Sequence, residues 1–118
     1  MVIPGEPEEL LKLQQKLKET FKDKAVIFTS KPYFLEVLPP ETGKGEALKY
    51  LAEDVLKIPQ TETMSFGDSM NDESMIRYAF HSTAMINGLD YIKEIANHIT
   101  EFSNDNDGVG RFIERHCL

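Results

Sequence analysis

Phe66-Gly67-Asp68-Ser69-Met70-Asn71-Asp72 places two carboxylates, an amide and a hydroxyl within one short stretch of chain, and Lys44 stands upstream between Gly43 and Gly45. These residue types suit a phosphate held beside a magnesium ion. Magnesium takes octahedral oxygen ligation, commonly one or two carboxylates together with waters and a phosphate oxygen. Asp68 and Asp72 are therefore the candidate residues for Mg2+, Asp68 as a direct ligand and Asp72 as the group that orients a water or the loop itself. Ser69 and Asn71 can hydrogen-bond a phosphate oxygen. Lys44, at the start of a helix whose free N–H groups also favour an anion, supplies a compact positive charge. Lys44, Asp68 and Asp72 are thus the candidate catalytic residues, and Lys44, Ser69 and Asn71 the candidate substrate contacts. Taken alone, Gly67-Asp68 reads as an ordinary turn more readily than as a site, and a lone lysine is usually a solvated surface residue.

The elements that must position these residues are legible in the hydrophobic pattern. Pro7 suits the first turn of a helix, and Leu10, Leu13, Leu17 and Phe21 recur on one face, which predicts a helix over 7–21. Residues 25–29 and 33–38 are short runs rich in Val, Ile, Phe and Tyr, joined by Ser30-Lys31-Pro32 as a hairpin or tight connection. Pro39-Pro40 closes this unit and is the candidate domain boundary. Beyond it, Ala47, Leu48, Leu51, Ala52, Val55 and Leu56 make a helical stripe ended by Pro59, and residues 63–66 form a short strand that delivers Asp68 at its end. Asn71 is the expected N-cap of a helix bearing Met75, Ile76 and Ala79. A strand over 83–86, a helix with Ile92, Ile95 and Ala96, a last strand over 98–100 and a helix after Gly108 follow. Strand alternating with helix argues for an α/β fold with parallel strands and helices on the sheet's faces. In such sheets ligands bind beyond the carboxyl ends of the strands, where Asp68 would stand.

Composition narrows the partners. At 118 residues, 41% hydrophobic and 28% charged, the chain reads as a globular protein rather than a disordered one. Its 13 Lys and Arg against 20 Asp and Glu give a net charge of -7 with neither sign gathered into a block, which argues against nucleic acid or an anionic membrane as a partner. Cys117 alone cannot form an internal disulfide, and neither a signal-like N-terminus nor a long apolar run is present, so a cytoplasmic protein is expected. His81, His98 and His116 lack the spacing of a metal cluster, and the five methionines read as core filler.

The sequence resembles the C-terminal half of Cof-like, cap-bearing phosphatases of the haloacid dehalogenase (HAD) superfamily. The matching segments are Tyr33-Phe34-Leu35-Glu36-Val37 with Thr42-Gly43-Lys44-Gly45-Glu46-Ala47-Leu48, then Ser65 to Asp72 with Met75, then Thr83-Ala84-Met85-Ile86-Asn87-Gly88 with Lys93 and Ala96, and Ser103-Asn104-Asp105-Asn106-Asp107-Gly108-Val109. The resemblance implies that Lys44 contacts the nucleophile and the transferred phosphoryl group, that Asp68 ligates magnesium, that Asn71 touches the substrate phosphate, and that Asp72 supports the metal loop. It also implies a partial HAD-like, Rossmann-like core over 40–118, preceded by the tail of an α+β cap domain over 1–39, and a full-length enzyme that acts on a small phosphorylated metabolite.

That family's reaction passes through an aspartyl-phosphate formed by an Asp-x-Asp that follows an apolar strand. Asp105-Asn106-Asp107 has the spacing, but it follows the polar Phe102-Ser103-Asn104 and reads as a helix-capping loop. The expectation is an Mg-dependent phosphomonoester phosphatase in full-length form, with these 118 residues inactive by themselves. A non-catalytic HAD-like protein acting by binding or association is the alternative. A response-regulator-like receiver fits less well, because its acidic pair and phosphoacceptor strand are absent. In the parent fold the 63–66 strand pairs with the nucleophile-bearing strand, so its open edge is expected to form a homodimer or domain swap.

Overall fold

A computed structural model describes residues 1–118, which divide into two compact units, Met1–Gly43 and Lys44–Leu118. In the first, β1 (Val2–Pro4), α1 (Pro7–Phe21), β2 (Val26–Lys31) and β3 (Phe34–Leu38) form an antiparallel sheet in the order β1-β3-β2 with one helix. The alternation of the strands puts Ile3, Ile27, Leu35 and Val37 on one face, where they meet Leu10, Leu13 and Leu17 of α1. The expected helix 7–21 forms with these bounds, Pro7 occupying its first turn.

In the second unit, β4 (Met64–Gly67), β5 (His81–Ala84) and β6 (His98–Ile99) are parallel and lie in the order β4-β5-β6. This is the expected α/β arrangement, a parallel sheet with flanking helices. α3 (Glu73–Tyr78) and α4 (Asp90–Ile95) cover one face, where Ile76, Ala84 and Ile92 are fully buried together. On the other face Phe66, Thr83 and His98 are cross-strand neighbours, and Phe112 of α5 (Gly108–His116) packs on Phe66 and His98 with ring centroids 5.6 and 5.9 Å apart.

The strands are more polar than buried parallel strands commonly are. Thr63, Ser65, Ser82, Thr83 and Thr100 are all buried. Most are satisfied locally: Ser82 N and Oγ both donate to Asn97 Oδ1, at 3.1 and 2.8 Å, and Thr100 Oγ1 accepts from Ile86 N at 3.0 Å. These bonds explain why β5 begins at His81 and ends at Ala84 instead of covering 83–86: Asn97 anchors the strand's start, while Ile86 is turned outward and 45% exposed.

α2 (Lys44–Lys49) continues as a π-helical segment, Tyr50–Leu56. The expected helix forms and stops before Pro59, but little covers its apolar stripe. Of the apolar stripe read over 47–56, only Ala52 is buried and Leu48 half-buried, whereas Ala47, Leu51, Val55 and Leu56 face solvent. The packed face is a narrow line, Gly45, Leu48 and Ala52, in which only Leu48 is large. The methionines divide in the same way: Met85 is buried, but Met1 and Met70 are exposed and fill no core.

Thr83 Oγ1 is buried with no hydrogen-bond partner. An unsatisfied hydroxyl costs about 1–3 kcal/mol. Thr83→Val is therefore expected to leave urea stability unchanged or raise it, and a loss beyond about 1 kcal/mol would show that the hydroxyl is used. Ile76→Ala, which empties the centre of the α3–α4 face, is expected to cost about 2–5 kcal/mol in the same measurement.

Candidate active site

β4 ends at Gly67, and the chain leaves it through Asp68 and Ser69 into a 3-10 turn, Met70–Asp72, that runs directly into α3. Ser69 is the N-cap of this turn and forms a capping box with Asp72, each side chain meeting the other residue's backbone N–H. Asn71, the expected N-cap, lies inside the turn instead, because the 3-10 turn Met70–Asp72 precedes the α-helix and is itself capped by Ser69.

Asp72 is the hub. Its residue is only 4% exposed, and both carboxylate oxygens are engaged. Oδ2 accepts from Asp68 N at 2.9 Å and Ser69 N at 3.2 Å, with Ser69 Oγ 3.4 Å away, and Oδ1 accepts from the Lys44 ammonium. Burial pushes the Asp72 carboxyl up, but the Lys44 ammonium and the N–H groups of Asp68 and Ser69 outweigh it and hold the pKa below its ordinary 3.8.

Lys44 reaches this carboxylate because two helices approach closely. A Cβ on Gly45 would lie 2.5 Å from Ser74 C, so only glycine lets α2 settle on α3, and Gly45 N donates to Ser74 Oγ at 3.0 Å. The Asp68 carboxylate, in contrast, is exposed and makes no hydrogen bond or ion pair. Its backbone is fixed on both sides, with N on Asp72 and O accepting from Leu89 N at 2.8 Å. Ser69 Oγ donates to Asn71 Oδ1 at 2.6 Å, which commits the hydroxyl proton and leaves the Asn71 NH2 as the free donor of the pair.

Lys44, Asp68, Ser69, Asn71 and Asp72 are thus brought into one hydrogen-bonded cluster at the carboxyl end of β4. No group of three or more His, Cys, Asp or Glu side chains is gathered around a common point. What the cluster offers a hard cation is one open carboxylate on a fixed backbone, which fits magnesium's habit of binding one or two carboxylates with water and phosphate making up the rest. The three histidines pack on aromatic rings, His81 against Phe80 and both His98 and His116 against Phe112. Asp105 lies in a 3-10 turn, Asn104–Asn106, and Asp107 at the N-cap position of α5, as expected of a helix-capping loop, although its side chain makes no capping bond. Ser74 and Leu89 were not singled out by sequence reasoning. Asn87-Gly88, a turn dipeptide, was the available signal for the latter.

The family model for haloacid dehalogenase-like hydrolases matches residues 1–113. The chain belongs to this family. Among curated relatives of this HAD-like chain, a Streptococcus pyogenes protein named as a phosphatase is 35% identical over 118 residues, all of this chain and 43% of the relative. The 5-amino-6-(5-phospho-D-ribitylamino)uracil phosphatase of Bacillus subtilis is 40% identical over 108 residues, 92% of this chain and 34% of the relative. The crystal structure of a haloacid dehalogenase-like hydrolase from Bacteroides thetaiotaomicron superimposes with a TM-score of 0.77 at 36% identity, over 97% of this chain and 42% of that one. The chain therefore spans less than half the length of these HAD-family relatives. No helix is long and apolar enough to cross a membrane.

The lowered pKa of Asp72 gives a signed pH dependence. A carboxyl whose native pKa lies below its unfolded value contributes stability above the unfolded value, and loses it as the pH falls through the native one. Between about pH 5 and pH 2, wild type should lose stability relative to Asp72→Asn. At neutral pH the variant should be less stable by about 1–3 kcal/mol, toward the lower end because Lys44 is half exposed. Parallel urea curves at both pH values would refute this role for Asp72.

Proposed function

We propose that these residues form the phosphate-gripping and magnesium-holding side of a phosphomonoesterase centre, which in the whole protein acts on a small phosphorylated metabolite. One observation carries this reading: Lys44 and the Asp68 backbone are joined to opposite oxygens of the same buried carboxylate, Asp72. A cation and an open carboxylate are thereby held on one rim of the sheet. Lys44 neutralises charge on the phosphoryl group, and the Asn71 NH2 donates to one of its oxygens. Asp68 offers oxygen to Mg2+, and Asp72 keeps the loop and Lys44 in register. Magnesium, when bound, polarises the phosphoryl group as a Lewis acid. The Bacillus relative, named for a phosphorylated ribitylamino-uracil, supports a phosphorylated metabolite as the substrate class.

In this reading Met1–Gly43 is the tail of an α+β cap and Lys44–Leu118 the C-terminal half of a Rossmann-like core. The attacking carboxylate is not among these residues, since the only strand-end Asp, Asp68, is the metal candidate. The chain by itself is then catalytically silent. β4 is hydrogen-bonded on one side only, to β5, and its free edge takes up a strand from a second copy in a homodimer or domain swap. The unpaired thiol of Cys117 suits a reducing, cytoplasmic setting.

With p-nitrophenyl phosphate and Mg2+, the 118-residue chain is expected to release no phosphate above buffer. Robust turnover abolished by Asp68→Ala would sink the half-site reading. Light scattering is expected to give the mass of a dimer, and a stable monomer would exclude pairing through β4.

A further inference from the structure

The Asp68 backbone has a second close neighbour besides Asp72, the turn that carries Gly88. Gly88 lies in the turn between β5 and α4, and a Cβ there would fall 2.9 Å from Asp68 Cα, 2.9 Å from Asp68 O and 3.0 Å from Met85 O. All three neighbours are backbone atoms, so none can swing aside as a side-chain tip would. The φ of Gly88 is not in the left-handed region, so the position needs glycine for space and not for conformation.

The same turn holds Asp68 by hydrogen bonds. Leu89 N donates to Asp68 O at 2.8 Å, and Gly88 N closes the turn onto Met85 O at 2.8 Å. Met85 N donates to Gly67 O at 2.8 Å, which extends the β4–β5 pairing to the residue before Asp68. Asn87 Oδ1 accepts from Asn104 N at 3.2 Å, which ties the turn to the loop ahead of α5. Asp72 fixes the N–H side of Asp68, and residues 87–89 fix the carbonyl side. An exposed carboxylate with no partner of its own has its place set by these backbone constraints.

We propose that Gly88 is a positioning residue for Asp68: by letting the 87–89 turn close onto the Asp68 backbone, it sets where the metal-binding carboxylate stands, independently of the Lys44 phosphate contact. This rests on the reading of Asp68 as the magnesium ligand. The inference differs from a general packing role in one respect, that metal affinity and phosphate affinity should separate.

The test titrates Mn2+, a paramagnetic substitute for magnesium, and inorganic phosphate separately into the isotope-labelled chain, following the amide signals of residues 44 and 68–72. Gly88→Ala, folded by circular dichroism, is expected to raise the Mn2+ midpoint about tenfold, toward that of Asp68→Asn, and to leave the phosphate midpoint unchanged. Asn87→Ala, which removes only the tether to Asn104, is expected to shift the Mn2+ midpoint in the same direction by less, and carries the test if Gly88→Ala does not fold. A wild-type Mn2+ midpoint in the folded Gly88→Ala variant, or in Asn87→Ala where that variant carries the test, overturns the proposal while impaired Asp68→Asn leaves the metal reading standing. Equal loss of Mn2+ and phosphate binding in Gly88→Ala also overturns it, as general damage. Unimpaired Mn2+ binding in Asp68→Asn removes the metal reading and this inference with it.

Discussion

The site depends on a single buried carboxylate. Asp72 links the start of α2, through Lys44, to the end of β4 and the 3-10 turn, through the backbone N–H groups of Asp68 and Ser69. A charge removed from water is tolerated only when its lone pairs are met by donors, and here an ammonium and two backbone N–H groups meet them. Oδ2 keeps a donor if either backbone N–H is lost, whereas Oδ1 has only the Lys44 ammonium, so loss of the carboxylate breaks the link between Lys44 and the turn while Asp68 keeps its bond to Leu89 and α2 its bond to Ser74.

Around that hub the backbones come closer than side chains would allow. Gly45 against Ser74, Gly67 against Asp72 and Gly88 against Asp68 each leave out a Cβ that would meet another part of the site within 3.0 Å. The polar strands serve the same end. Ser82 bonded to Asn97 and Thr100 bonded to Ile86 N extend the ladder beyond the formal strand ends, so short strands still hold their loops in place. A larger apolar core would cover more surface but supply fewer such fixed points.

Much of this was legible in the sequence, and the misses have physical causes. The helix at 7–21 was readable because Pro7 and a periodic leucine face agree, and the strand end that carries Asp68 was readable because the turn formers Gly67-Asp68-Ser69 follow the short run Met64-Ser65-Phe66. The five site residues gather as a cluster because they lie in one turn plus one helix start. The 47–56 stripe shows the helix but not its exposure, since periodicity shows which residues share a face and not whether anything covers it. Ser69 and Asn71 are both good caps by residue type, and only the reciprocal bonds with Asp72 decide for Ser69. The close approach of Gly88 to Asp68 spans a long sequence separation, and no local pattern announces it.

The helix that begins with Lys44 thus has two unlike ends. Its first residues are drawn tightly onto α3, whereas its π-helical end holds Tyr50, Leu51, Val55 and Leu56 out in water, Tyr50 at 63% exposure. An oily ridge of that size is adhesive, and the acidic balance of the chain, net -7, opposes nonspecific clumping through it. Added salt weakens that repulsion and strengthens the attraction between ridges, so colloidal behaviour is governed by ionic strength more than by the stability of the fold.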